Sequence, residues 1–101
     1  MKSYEIPIPV IKDLALANGA TGTAKQIQIG NMIFVYVDIL LTQQLPVWTG
    51  IITGLDTVDI QEYNVNLNGT LIQIKPSRGF IQTAQQINAN TRIVANIFYV
   101  I

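Results

Sequence analysis

The chain has 101 residues, half of them hydrophobic, with six basic and six acidic side chains and neither cysteine nor histidine. This describes one folded domain, and it excludes disulfide staples, thiolate nucleophiles, sulfur-built zinc sites and the usual general base at neutral pH. Net charge is zero and the basic residues (Lys2, Lys12, Lys25, Lys75, Arg78, Arg92) are scattered, which excludes the clustered phosphate contacts of a nucleic-acid binder and the polybasic patch of a protein held on an anionic membrane.

From Met1 to Pro9 the chain carries Glu5 and two prolines where a secretory signal needs an unbroken apolar stretch, so export by that route is not expected. Asp38, Gln43, Gln44 and Pro46 interrupt the most apolar region, well short of the roughly 20 residues of a spanning helix. Isoleucine dominates the apolar residues, and Gln, Asn and Thr stand where Lys and Glu are usual, a composition that suits strands and turns. The expectation is all-β: a small antiparallel β-sandwich or jelly-roll-like barrel.

Residues 1–12 alternate prolines with aliphatics over Ile6-Pro7-Ile8-Pro9-Val10, which limits them to an extended arm or an edge strand; residues 13–101 form the sandwich. Residues 13–17, with Asn18-Gly19-Ala20-Thr21-Gly22 after them, read as a loop. Gly30-Asn31 then suits a type II′ turn between a strand ending at Ile29 and a long strand from Met32 to Leu41. A two-residue turn pairs Ile29 with Met32 and Ile27 with Phe34. The long strand is apolar on both faces, with Ile33, Val35, Val37 and Ile39 on one and Met32, Phe34, Tyr36 and Leu40 on the other.

Asn68-Gly69 predicts a second hairpin, from Glu62–Leu67 to Thr70–Lys75, pairing Tyr63 with Ile74, Val65 with Ile72 and Leu67 with Thr70. Pro76-Ser77-Arg78-Gly79 turns the chain, Phe80–Gln82 reads as a short strand, and Thr91–Ile101 is a terminal strand apolar on both sides. Two doubly apolar strands in so small a chain are expected to be neighbours in one sheet, one face on the core and the other on a partner subunit. Ile33, Val35, Val37, Ile39, Val94, Phe98 and Val100 are therefore the expected subunit interface.

Chemistry is sparse. Ser3 and Ser77 have no histidine or suitably placed lysine as base, so no catalytic residues, no enzymatic activity and no cofactor are expected. The seven glycines match neither phosphate-loop nor dinucleotide spacing. Asp56, Asp59 and Glu62 form the one acidic cluster, but lack the glycine and extra oxygen ligands of a calcium loop, and a solvated loop is the favoured reading, with no metal. Trp48, the lone tryptophan, sits beside Pro46. An indole near amide and carboxylate side chains is the makeup of a saccharide site, with Asp56, Asp59, Gln61, Tyr63 and Arg78 as companions; a core lid or an interface anchor is the competing use of Trp48.

The order of short motifs, Leu14-Ala15-Leu16-Ala17-Asn18-Gly19, Gln26-Ile27-Gln28-Ile29-Gly30-Asn31, Leu45-Pro46, Ile51-Ile52-Thr53-Gly54-Leu55, Asn68-Gly69-Thr70-Leu71 and Ile87-Asn88-Ala89-Asn90-Thr91, resembles the C-terminal domains of bacteriophage tail fibre and baseplate proteins. Asp56 departs from that pattern, standing where such domains often carry proline after Gly-Leu. The resemblance implies a virion protein that forms homotrimers and recognises a host-surface polysaccharide, or else a structural adaptor that binds other virion proteins and no glycan.

Overall fold

The computed structural model describes residues 8–67 and 69–100. Among them the chain forms strands and no helix: β1 (Val10–Asp13), β2 (Ala15–Leu16), β3 (Ala20–Ile29), β4 (Met32–Leu41), β5 (Gly50–Thr53), β6 (Tyr63–Leu67), β7 (Thr70–Lys75), β8 (Phe80–Thr83) and β9 (Arg92–Val100). All ladders are antiparallel and fall into two sheets, β1-β3-β4-β9 and β2-β5-β8-β7-β6, in a β-sandwich-like arrangement. No helix among the described residues is long and apolar enough to cross a membrane.

Both expected hairpins form in the expected registers. Ile29 pairs with Met32 and Ile27 with Phe34. Gly30 has φ +60° while Asn31 stays out of the left-handed region, which is the type II′ combination. In the second hairpin Tyr63, Val65 and Leu67 oppose Ile74, Ile72 and Thr70; of its turn, Asn68 lies outside the described residues, as do Met1–Pro7 of the arm and Ile101 of the terminal strand. The part of the arm that is described reaches β1, an edge strand on β3.

The stretch read as a loop is different. Asn18 and Gly19 both have positive φ (55° and 85°), and the Ala20 N–H donates to the Ala17 carbonyl at 3.2 Å. That is a tight turn, which carries the chain from β2 into a full ten-residue β3. Gly22 lies inside this strand, where a Cβ would stand 2.3 Å from the Asp38 carbonyl oxygen. It marks a close approach of two backbones and does not break the strand.

The core lies between the sheets. Ile33, Val35, Val37, Ile39 and Leu41 of β4 and Ile93, Ala95, Ile97 and Tyr99 of β9 face Ile52, Ile72, Ile74 and Ile81 of the other sheet. Each aliphatic side chain buried here contributes roughly 1.5–3 kcal/mol. The expected interface set therefore divides. Ile33, Val35, Val37 and Ile39 are at most 1% exposed inside the chain's own sandwich, because the strand with the greater aliphatic content on one face turns that face to the second sheet. Val94, Phe98 and Val100 have the opposite parity on β9 and stay outside.

Candidate functional site

Cross-strand register builds one continuous outer face on the four-stranded sheet. Ile11, Ile27, Phe34 and Phe98 form one row, and Ile29, Met32 and Val100 the next towards the Gly30 turn. Lys25, Tyr36 and Asn96 form a third, followed by Thr23, Asp38 and Val94, then Thr21, Leu40 and Arg92. The Phe34 and Phe98 rings lie 5.0 Å apart, tilted by 39°. Ile27, Ile29, Phe34, Tyr36, Asn96 and Phe98 line a groove of about 630 Å³. Met32, Phe34, Tyr36, Leu40, Val94, Phe98 and Val100 are each 36–52% exposed.

Three strands about 4.8 Å apart and about nine residues long, with the four residues of β1 alongside, give a plane of roughly 500 Å². The plane is over half of the roughly 800 Å² that one partner contributes to a standard interface, and its apolar part is the two rows nearest the Gly30 turn together with Tyr36, Leu40 and Val94. Apart from Lys25 and Asp13 in the middle row, charge on this face lies at the end away from the Gly30 turn. There Arg92 Nε and Nη2 donate to the two Asp38 carboxylate oxygens at 2.9 Å each. This fork holds the Asp38 carboxyl below its usual range and raises the Arg92 guanidinium. In the middle row Lys25 lies 3.8 Å from Asp13.

The expected saccharide residues do not converge. Trp48 precedes β5, whereas Asp56, Asp59 and Gln61 follow it, so they occupy opposite ends of that strand. Arg78 is exposed in the β7–β8 turn, on the Asp56 side, where the Leu55 N–H donates to the Gly79 carbonyl. Tyr63 points inward in the row of Ile74 and packs on the core. Asp59, with Thr57, Val58 and Ser77, lines an open depression of about 240 Å³.

Asp56 is occupied by its own neighbours. Lys12 Nζ donates to Oδ1 at 2.6 Å and Gln26 Nε2 to Oδ2 at 2.9 Å, while the Asp56 N–H donates to Gln26 Oε1 at 2.8 Å. These hydrogen bonds, from Lys12 first and Gln26 second, hold the carboxyl below its usual range. Glu62 pairs with Lys75 at 3.3 Å, and among the described residues no three acidic side chains come together as metal ligands. Asp56 thus locks the 54–62 loop to β1 and β3, and Glu62 ties the end of that loop to β7. Gln26, 2% exposed on the inner face, is the residue that sequence reading missed; its only signal was an amide at an inward register position.

Trp48 keeps an exposed indole (55%) on a backbone at φ +63°. The turn is pinned by Thr83, which is fully buried: the Trp48 N–H donates to the Thr83 carbonyl at 3.0 Å, the Thr49 N–H to Thr83 Oγ1 at 2.9 Å, and Thr83 Oγ1 to the Pro46 carbonyl at 2.8 Å. A left-handed backbone at a bulky residue persists only where its surroundings over-determine it.

At the Asp56 end the Tyr63 and Tyr99 hydroxyls are buried without a protein partner. Burial raises both, with Tyr99 pushed to about 12 by burial and by the neighbouring Tyr63 and Asp56. A folded-state value above the ordinary 10 means that the neutral phenol is favoured in the native state. This contribution to stability is present in full below pH 10 and is lost as the pH climbs to about 12. The thermal midpoint is expected to fall across that window by the equivalent of about 2 kcal/mol, and Tyr99→Phe to flatten the fall. An equal fall in the variant would place the alkaline sensitivity elsewhere.

Compared with known proteins, the chain matches no family model, no curated protein and no solved structure.

Proposed function

We propose that this chain is a non-enzymatic assembly domain, of the kind that forms phage fibres and baseplates, and that the outer face of its four-stranded sheet is covered by other copies of the chain. The observation that carries the reading is the unbroken apolar face running from Ile27 and Ile29 through Met32, Phe34 and Tyr36 to Phe98 and Val100. Leaving such a face in water is unfavourable, and zero net charge puts little long-range repulsion in the way of association. The linear resemblance to tail fibre and baseplate domains supplies the setting, a virion, and implies threefold association.

Sedimentation velocity tests this. The wild-type chain should self-associate at high micromolar concentration, and Phe34→Lys/Phe98→Lys should be monomeric with an unchanged circular dichroism spectrum. A wild-type chain that stays monomeric and binds no apolar dye contradicts the proposal.

A second reading, recognition of a host-surface polysaccharide, is favoured by the exposed, pinned indole of Trp48, without Asp56 or Tyr63 as companions. On a glycan array, binding that disappears in Trp48→Ala supports it, and the absence of any binding removes it.

A further inference from the structure

The two lateral sides of the sandwich differ in how they protect their edges. On one side lie β1 and β2. β1 follows Pro9 and ends in Lys12-Asp13, and β2 is only two residues long. Proline, charge and brevity are the means by which exposed edges are blunted against strand pairing. On the other side lie β9 and β6, which touch each other across the sheets. From Ile93 to Val100, β9 carries no charge and no proline, and its pairing with β4 runs without a bulge. Among the described residues, no backbone hydrogen bond reaches β9 from the side away from β4.

We infer that β9 is a pairing edge for β9 of a second copy, antiparallel, about a twofold axis at Asn96. This rests on the proposed self-assembly and adds an edge-to-edge contact to the face contact proposed there. In that register, from Ile93 to Tyr99, apolar residues meet apolar ones on either side of the Asn96 pair and no charged side chain meets another. Asn96 meets its counterpart, Val94 meets Phe98 and Ile93 meets Tyr99, so outer residues meet outer and inner meet inner. The apolar outer faces of the two copies become one surface across the seam. Because the β1/β2 side is guarded, edge pairing stops at two copies and does not run on as a continuous sheet, and the joined outer face is the surface that further copies cover.

The test is residue-resolved amide hydrogen exchange on the wild-type chain, combined with sedimentation. In a lone edge strand every second β9 amide points away from β4 and exchanges fast; in the paired dimer these amides should slow by at least about 100-fold. Asn96→Lys places like charges opposite each other on the axis and should weaken the dimer at least about 10-fold, with the thermal midpoint of the dilute monomer unchanged. A dimer with both sets of β9 amides protected, weakened by Asn96→Lys, supports the seam. A dimer or trimer in which alternate β9 amides still exchange fast overturns it and leaves the docking face standing. No associated species at all overturns both.

Discussion

Gly22→Ala should be the most damaging single methyl in this chain, removing about 3–5 kcal/mol of an unfolding free energy that for such a domain is of order 5–15 kcal/mol. Two costs add. At φ +126° any L side chain is strained, and the new Cβ would stand 2.3 Å from the Asp38 carbonyl oxygen and 3.1 Å from Ile39 Cα. Both obstacles are backbone, so no rotamer change relieves them, and β3 must part from β4 near one end of the longest ladder of the fold. Gly50 is the control. It has no neighbour within 4 Å and lies outside the left-handed region, so Gly50→Ala should be neutral or stabilising by about 0.5 kcal/mol through the unfolded chain. Urea denaturation of the pair reads the difference; a Gly22→Ala protein within about 1 kcal/mol of wild type would mean that the close approach is not needed.

Ile39→Ala and Phe98→Ala should separate the two faces of the same sheet. Ile39 is 1% exposed between the sheets, and truncating it leaves a cavity costing about 3 kcal/mol at any protein concentration. Phe98 is about half exposed, so its truncation should cost under about 1 kcal/mol in dilute solution and should weaken self-association instead. Denaturation at two protein concentrations distinguishes them. If Ile39→Ala lost stability only where the chain associates, β4 would have its faces reversed relative to the fold described above.

The period-2 pattern and turn chemistry were enough to read both hairpins. Gly30-Asn31 and Asn68-Gly69 constrain strands locally, and once the turn length is known the alternation fixes every partner down to Ile27–Phe34 and Tyr63–Ile74. The adjacency of β4 and β9 was legible as well, because two doubly apolar strands are best placed beside each other; that β9 would end the sheet was not. Which face of β4 turns inward was not. Ile33, Val35, Val37 and Ile39 and the opposite set of Met32, Phe34, Tyr36 and Leu40 are both apolar, and the choice depends on a second sheet whose position no local pattern reports.

The start of β3 was hidden for a related reason. Thr21-Gly22-Thr23 has the composition of a loop, and only the approach of the Asp38 backbone explains a glycine there. The binding residues were the least legible. Acidic spacing brought Asp56, Asp59 and Glu62 together on paper, yet Lys12 and Lys75, distant in sequence, take two of them. Trp48 and Asp56, eight positions apart, were separated by β5 itself.

Carbene footprinting across a dilution series puts the outer face to its most direct test. Met32, Phe34, Tyr36 and Phe98 are expected to lose labelling as the chain is concentrated, in step with its sedimentation coefficient, while Ile33 and Ile97 stay protected throughout. Constant, solvent-level labelling of those four side chains at every concentration would contradict assembly through this face.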